Sequence, residues 1–282
     1  MDGLLLIDKD AGKTSHDIVA EVRLALGERR AGHTGTLDPA ATGLLVVALG
    51  KALKIVPYLE GFDKAYAFTA RLGRRTDTDD AGGRVLEERD PSDVTREAIE
   101  ALLPRFTGTI RQRPPSFSAV RVGGERAYKL ARLGAPVEIP EREVTVFELR
   151  LEAFDPPRAK FVMRCSKGTY VRAIARDLGE ALGCGGSVDE LRRLAVGPFR
   201  VEEAVRLDRA TEDDLKRALL PPDAGLAALP AVVLEPGEAR RFIQGKLLDQ
   251  GSPAPLVRVY EGTIFLGMGE ELDGRLKARR VL

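Results

Sequence analysis

The sequence predicts an α+β fold: a mixed or antiparallel sheet packed by helices, followed by a small β-rich C-terminal unit. Three observations carry the expectation. Strand-like runs and helical stripes follow one another irregularly, with a helix directly after a strand at CSKGTYVRAIARDLGEALG. The Pro, Gly and Ala content rises across LLPPDAGLAALPAVV, residues 219–233, which reads as an inter-domain linker. The 282 residues exceed the usual ~100–200 per domain, so a large domain over 1–225 and a small one over 230–282 are expected.

Taken in order, residues 4–8 read as a buried strand and 14–26 as a helix. Thr14 with Asp17 resembles a capping box, Ile18, Val22 and Leu26 repeat at helical spacing, and Gly27 ends the run. Residues 43–49 are wholly apolar, and their length fits helix or strand equally. In AYAFTARLG the residues Tyr66, Phe68, Ala70 and Leu72 share one face of a strand, which on pattern alone makes Tyr66 a core tyrosine. Residues 95–103 predict an amphipathic helix, and 144–151 and 161–165 predict strands. After SKGTY, Val171, Ile174, Ala175, Leu178 and Leu182 form an apolar helical stripe that leaves Arg172 and Arg176 one turn apart on the polar side. Residues 256–282 read as two or three short strands with glycine turns, closed by Arg275, Lys277, Arg279 and Arg280.

Composition narrows the function classes. Hydrophobic residues at 44% and charged residues at 31% are ordinary globular values, against disorder. The start MDGLLLIDKD has too few consecutive apolar residues for a secretory signal, and no run reaches the roughly 18 of a membrane span, so no membrane role and a cytoplasmic location are expected. Cys165 and Cys184 form no CxxC, and neither a disulfide framework nor a metal site is expected. Net charge is only +1, yet it is segregated: residues 158–176 hold six basic residues and no acid, and 105–133 hold seven against Glu125 alone. Such runs are either solvated faces or a polyanion-binding surface. Phe117, Tyr128 and Tyr170 lie among them, which favours single-stranded or flipped-out nucleic acid.

Most cofactor and nucleophile chemistry lacks its motif. DKDAGKTS resembles a phosphate-binding loop, but the first glycine of G-x-x-x-x-G-K-S/T falls at Ile7. Lys9 and Lys13 beside a helix start could still receive an anion such as an RNA phosphate, or the segment is a capped turn. No dinucleotide fingerprint is present, and the only histidines, His16 and His33, stand in no triad context. A carboxylate working with arginine and tyrosine remains. In AGHTGTLDPAATGLL, Pro39 biases Asp38 away from helix, and Gly35 and Gly43 permit close backbone approach by a ligand. An ordinary Asp-Pro turn fits the same residues.

In order, LLIDKDAGKTS, RAGHTGTLDPAATGLL, KAYAFTARLGRRTDTDDAGG, RPPSFSAVRVGGERAYKLARLG, CSKGTYVRAIARDLGEALG and VDELRRLAVGPF resemble the TruB-type tRNA pseudouridine synthases over nearly the full chain. The C-terminal segment looks like a PUA RNA-binding domain. Asp10 and Arg121 depart from the family's usual proline and lysine. The resemblance implies a pseudouridine synthase catalytic domain that converts T-loop uridine 55 of tRNA to pseudouridine without cofactor or metal. It makes Asp38 the catalytic nucleophile or base and stacks Tyr66 on the uracil. It pairs Arg172 with Asp38, an arrangement expected to lower the carboxyl pKa. His33, Tyr170 and Leu191 would line the nucleotide pocket, and Arg121 and Lys129 would hold phosphate in an RNA-clamping loop over about 105–133. The base must be flipped out. The expected partner is the T-arm of tRNA, bound by a monomer without guide RNA. The competing readings are a dyskerin-type subunit, which needs guide RNA and partner proteins, and an RNA-binding protein without chemistry.

Overall fold

A nine-stranded mixed sheet is the largest sheet of the computed structural model, which describes residues 1–133 and 139–282. Its path runs β1 (Gly3–Lys9), β3 (Thr42–Leu49), β12 (Gly186–Val196), β4 (Lys64–Leu72), β11 (Arg158–Cys165), β10 (Arg142–Asp155) and β7 (Gly108–Gln112). Strands β2 (Ala31–His33) and β13 (Phe199–Arg200) pair with β3 and β12. The β3–β12 pairing is parallel, with Arg193 opposite Gly43; the rest of the path is antiparallel. Two hairpins stand off it: β5 (Arg74–Thr76) with β6 (Val85–Glu88), and β8 (Arg121–Val122) with β9 (Glu125–Arg126).

The ambiguous apolar run at 43–49 is strand β3, and its burial explains the ambiguity. Leu44, Val46 and Ala48 enter one core with Leu4, Leu6 and Phe199, while Leu45, Val47 and Leu49 enter another with Ile18, Val22 and Leu26 of helix α1 (Ser15–Leu26). A strand buried on both faces loses its alternation. Helix α1 carries the expected capping box of Thr14 and Asp17 and ends at Gly27 in the left-handed region. Tyr66, Phe68, Ala70 and Leu72 of β4 pack against Val171, Ile174, Ala175 and Leu178 of the helix Val171–Ala181, here called α5. Four shorter helices, α2 (Val56–Leu59), α3 (Arg96–Leu102), α4 (Ala127–Arg132) and α6 (Glu212–Arg217), precede or follow it in the chain.

Residues 219–233 are not a loose linker. Leu220 bridges Leu4, and Gly225 and Leu226 are buried. Val232 lies on β14 (Ala231–Leu234), which opens a second sheet with β15 (Leu256–Glu261), β16 (Ile264–Leu272) and β17 (Arg275–Val281). That sheet and helix α7 (Pro236–Ile243) share a core of Leu234, Phe242, Val257 and Leu276. Met268 of β16, fully buried, joins the core around Leu44 and Phe199 in the large sheet. Asp223, Tyr260 and Arg258 fasten the junction: Tyr260 donates to Asp223, and Arg258 donates to Tyr260 at 2.9 Å and to the Leu229 carbonyl at 3.0 Å. Small residues here allow close packing, which composition alone cannot distinguish from flexibility.

The segment expected as a loop over 105–133 begins as structure. Arg105 sits in a 3-10 turn and Gly108–Gln112 is the edge strand β7. Gln112, 1% exposed, holds the chain before α5 by exchanging hydrogen bonds with the Tyr170 backbone at 3.1 and 2.8 Å.

Candidate active site

Asp38 sits in a turn, as its proline suggests, and the turn is braced from two sides. The Ala41 amide donates to the Asp38 carbonyl at 3.0 Å, closing an Asp-Pro β-turn. The DKDAGKTS segment lies against it. The Gly12 amide donates to the Pro39 carbonyl at 2.8 Å, and Ser15 Oγ exchanges hydrogen bonds with the Leu37 backbone at 2.8 and 3.1 Å. Lys9, 0% exposed, donates to the Ala41, Asp10 and Pro39 carbonyls at 2.6, 2.8 and 3.1 Å. Lys9 is therefore no phosphate ligand: its ammonium is consumed in holding the loop. Gly43 admits the neighbouring strand rather than a ligand. It has φ +98°, and a Cβ there would lie 2.2 Å from the Arg193 carbonyl oxygen.

Arg172, the second residue of α5, faces Asp38 from the opposite side. It is buried at 4% exposure, not on a solvated helix face as the apolar stripe suggests. Its Nε lies 2.9 Å from Asp38 Oδ2, and its Nη2 donates to Asp38 Oδ1 at 3.2 Å. Its other contacts are Asp80 at 3.6 Å, the Thr78 carbonyl at 2.8 Å and the Phe117 carbonyl at 3.0 Å. Asp80 is held by Thr78 Oγ1 at 2.7 Å and the Gly82 amide at 3.0 Å at the tip of the TDTDDAGG turn. The adjacent Arg176 makes the parallel contact to Asp79 at 2.8 Å. Two aspartates thus share one guanidinium, and a second arginine anchors the acidic turn to α5.

The carboxyl of Asp38 is pushed above the ordinary aspartate range. Burial is the largest cause, and Arg172 opposes it without overcoming it, while Asp80 adds to the rise. This reverses the expected sign, since a neighbouring cation alone would lower the value. Tyr66 is buried and its phenol is pushed up, first by burial, with Arg193 opposing and the Asp38 charge reinforcing. His33 is half-buried, edge-on to His16 at 5.3 Å, and lowered by burial, so it is neutral at pH 7.

A cavity of about 30 Å³ lies at the centre, bounded by Asp38, Asp80, Arg172, Val188 and Leu191. Leu191 borders it from β12, where its register partner is Phe68. Tyr66, His33 and Tyr170 do not line this space. Tyr170 precedes α5, with the Arg142 guanidinium 4.8 Å above its ring. Arg121 and Lys129 are exposed and remote from the carboxylate: Arg121 is on the β8–β9 hairpin, and Lys129, on α4, lies 3.9 Å from Glu125. Phe117 links that region to the site through its carbonyl on Arg172.

Residues 23–171 match the profile of the TruB family pseudouridylate synthase N-terminal domain. The chain belongs to the TruB family. Residues 172–227 match the tRNA pseudouridylate synthase B C-terminal domain, and 230–282 match a TruB C-terminal domain of pseudouridine synthase II. Asp38 and Arg172 thus fall in different profiles and meet only in the fold. The tRNA pseudouridine synthase B of Thermobifida fusca is 46% identical over 97% of this chain and 96% of its own length. That of Aquifex aeolicus is 42% identical over the whole of both chains. Among solved structures, a chain of an H/ACA ribonucleoprotein bound to a substrate RNA containing 2'-deoxyuridine shares the fold, with TM-score 0.74 and 23% identity over 99% of this chain and 84% of that one. A chain of a Cbf5–Nop10–Gar1 complex gives 0.71 at 25% identity, over 95% of this chain and 78% of that one.

Sequence reasoning missed Lys9, Asp80 and Arg193 as builders of the site. Lys9 stood in a segment that invited an anion-binding reading, and Arg193 is one of two adjacent arginines. Asp80 carried a signal, as one of three acids packed into TDTDDAGG beside two glycines.

Proposed function

We propose that this chain converts uridine 55 in the T-loop of tRNA to pseudouridine, acting alone and without guide RNA. The observation that carries the reading is the Asp38–Arg172 pair, half-enclosed and bordered by Leu191, with the buried Tyr66 phenol near enough to feel the Asp38 charge. In the reaction the bond from ribose carbon 1' to uracil N1 breaks, the base turns, and carbon 5 bonds to carbon 1'. The carbon 5 proton leaves and N1 regains one, so no electrons are transferred to a third party. Asp38 serves either as nucleophile at the sugar or as base. Its raised pKa suits both roles, because a carboxylate disfavoured by burial is more basic, while Arg172 keeps the ionised form accessible. Tyr66 stacks on the uracil and assists loss of the carbon 5 proton.

The cavity beside Asp38 and Arg172 is where the flipped base would enter. The Phe117 segment, whose carbonyl accepts from Arg172, continues into the hairpin and helix bearing Arg121 and Lys129, which take RNA phosphates. The exposed Arg275, Lys277, Arg279 and Arg280 on β17 give the PUA-like second sheet a basic edge for the same backbone.

The test is purified chain with tRNA transcript tritiated at carbon 5 of uridine, followed by mapping of the modified position. Release of one label per tRNA, assigned to position 55, is expected from the single polypeptide in monomeric form. No release from bare transcript, with release only when a guide RNA is added, would overturn the reading.

A further inference from the structure

Arg193 of β12 is a buried cation that the reaction as described does not use. It is 2% exposed, and its side-chain partners among the described residues are carbonyls rather than carboxylates. Its neighbour Arg192 points the other way and makes a two-pronged ion pair with Asp8 at 2.9 and 2.8 Å. Taking an unpaired guanidinium out of water is costly, and carbonyl dipoles offset that cost only in part. An apolar side chain in its place would avoid that cost but leave the carbonyls it holds without this donor.

The three carbonyls it holds bracket one feature. Nη2 donates to Gly35 at 3.1 Å, Nη1 to Thr36 at 3.2 Å and Nε to Leu44 at 2.7 Å, so one rigid planar group ties the entry and exit of the Asp38 loop. The backbone position is fixed independently, because Arg193 is the register partner of Gly43 on one side and of Tyr66 on the other. From there its charge acts on the Tyr66 phenol, opposing the rise that burial causes. We propose that Arg193 is a positioning residue for the isomerisation, setting the separation between Asp38 on the sugar side of the nucleotide and Tyr66 on its base side. This rests on the roles given to Asp38 and Tyr66 above. Shape matters more than charge here: a lysine ammonium is a point donor and cannot span the three carbonyls as a planar fork does.

Arg193→Lys and Arg193→Ala, with wild type in parallel, test it by single-turnover product formation at saturating enzyme, tRNA binding across a salt series, and thermal melting. Arg193→Lys is expected to fold and to bind tRNA with unchanged Kd and salt slope, yet react about a hundredfold more slowly, as for roughly ångström misplacement of a reacting group. Free guanidinium at millimolar concentration should restore part of the rate of Arg193→Ala and leave wild type unaffected. A folded Arg193→Lys at wild-type rate overturns the proposal. So does a loss confined to affinity with the salt slope reduced by about one, which would make Arg193 a phosphate contact. Failure of both variants to fold also overturns it, since Arg193 would then support the core and not the site. An inactive wild type would instead sink the proposed function.

Discussion

Replacing Asp80 by Asn separates the two tasks of the Arg172 guanidinium, which lies 2.9 Å from Asp38 and 3.6 Å from Asp80 with its side chain 5% exposed. Asn retains an acceptor for Thr78 and Gly82, so the acidic turn keeps its shape and only charge is removed. Unit charges about 4 Å apart attract by about 4 kcal/mol at an effective dielectric of about 20. Desolvation returns part of that, leaving a net of about 1.5–3 kcal/mol for a contact of this kind. If that loss falls on the orientation of Arg172 in the transition state, the single-turnover rate at saturating enzyme drops about ten- to a hundredfold, with tRNA affinity unchanged. The acid limb of the rate profile should move the other way. The Asp80 charge helps hold the Asp38 carboxyl up, so its removal lets Asp38 ionise at lower pH and shifts the limb downward. A general loosening of the site would slow the reaction without that shift. An unchanged rate, or a limb displaced to higher pH, would refute the shared-guanidinium argument.

Asp38→Asn should abolish turnover while leaving affinity and salt slope intact, measured by filter binding and tritium release. It should also raise the melting temperature at pH 7: a carboxyl whose folded pKa lies above its unfolded value costs stability that builds from the unfolded value and is complete above the folded one, so the gain should shrink as pH falls toward the ordinary value of about 4 and vanish below it. Neutralising Arg121 and Lys129 should do the reverse to binding, lowering the salt slope by about one for each phosphate no longer held and sparing the rate at saturating enzyme. Lys9→Met should slow the reaction roughly tenfold or more with the salt slope unchanged, because its ammonium holds carbonyls and not phosphate; a reduced slope would restore the anion-binding reading. Met268→Ala should cost about 2–5 kcal/mol in urea unfolding, since this side chain fills a core shared by the two sheets.

How much of this was legible depended on whether a residue's role lay in its neighbours along the chain or across it. The capped helix at 15–26, the Tyr66 face of β4 and the stripe of α5 were readable because each is a local period. Asp38 and Arg172 could be paired only by family resemblance, since 134 positions separate them and nothing local to either points to the other. The segment 219–233 holds the change from one matched domain to the next, but that it is packed was not legible: glycine, alanine and proline suit mobile chain and tight packing alike, and only the bridge from Leu220 to Leu4 distinguishes them. Lys9 and Arg193 could not be read as buried, because long cations are normally surface residues. Their burial follows from the carbonyls of a loop that turns too sharply to satisfy itself.

The two readings of Asp38, turn residue and catalytic carboxylate, are compatible in this fold. The turn leaves backbone carbonyls that Lys9 and Arg193 bind. Those two cations hold the backbone of the loop, whereas Arg172 holds the carboxylate itself, so both are held before any nucleotide arrives. Burial then raises its pKa against the pull of Arg172, which leaves it more basic than a free aspartate. A site built from one carboxylate gains reactivity through enclosure and gains orientation through cations directed mostly at the backbone. The acidic turn contributes by sharing Arg172. In a chain whose net charge is only +1, the site thus gathers three buried cations, Lys9, Arg172 and Arg193, around the loop of one acid.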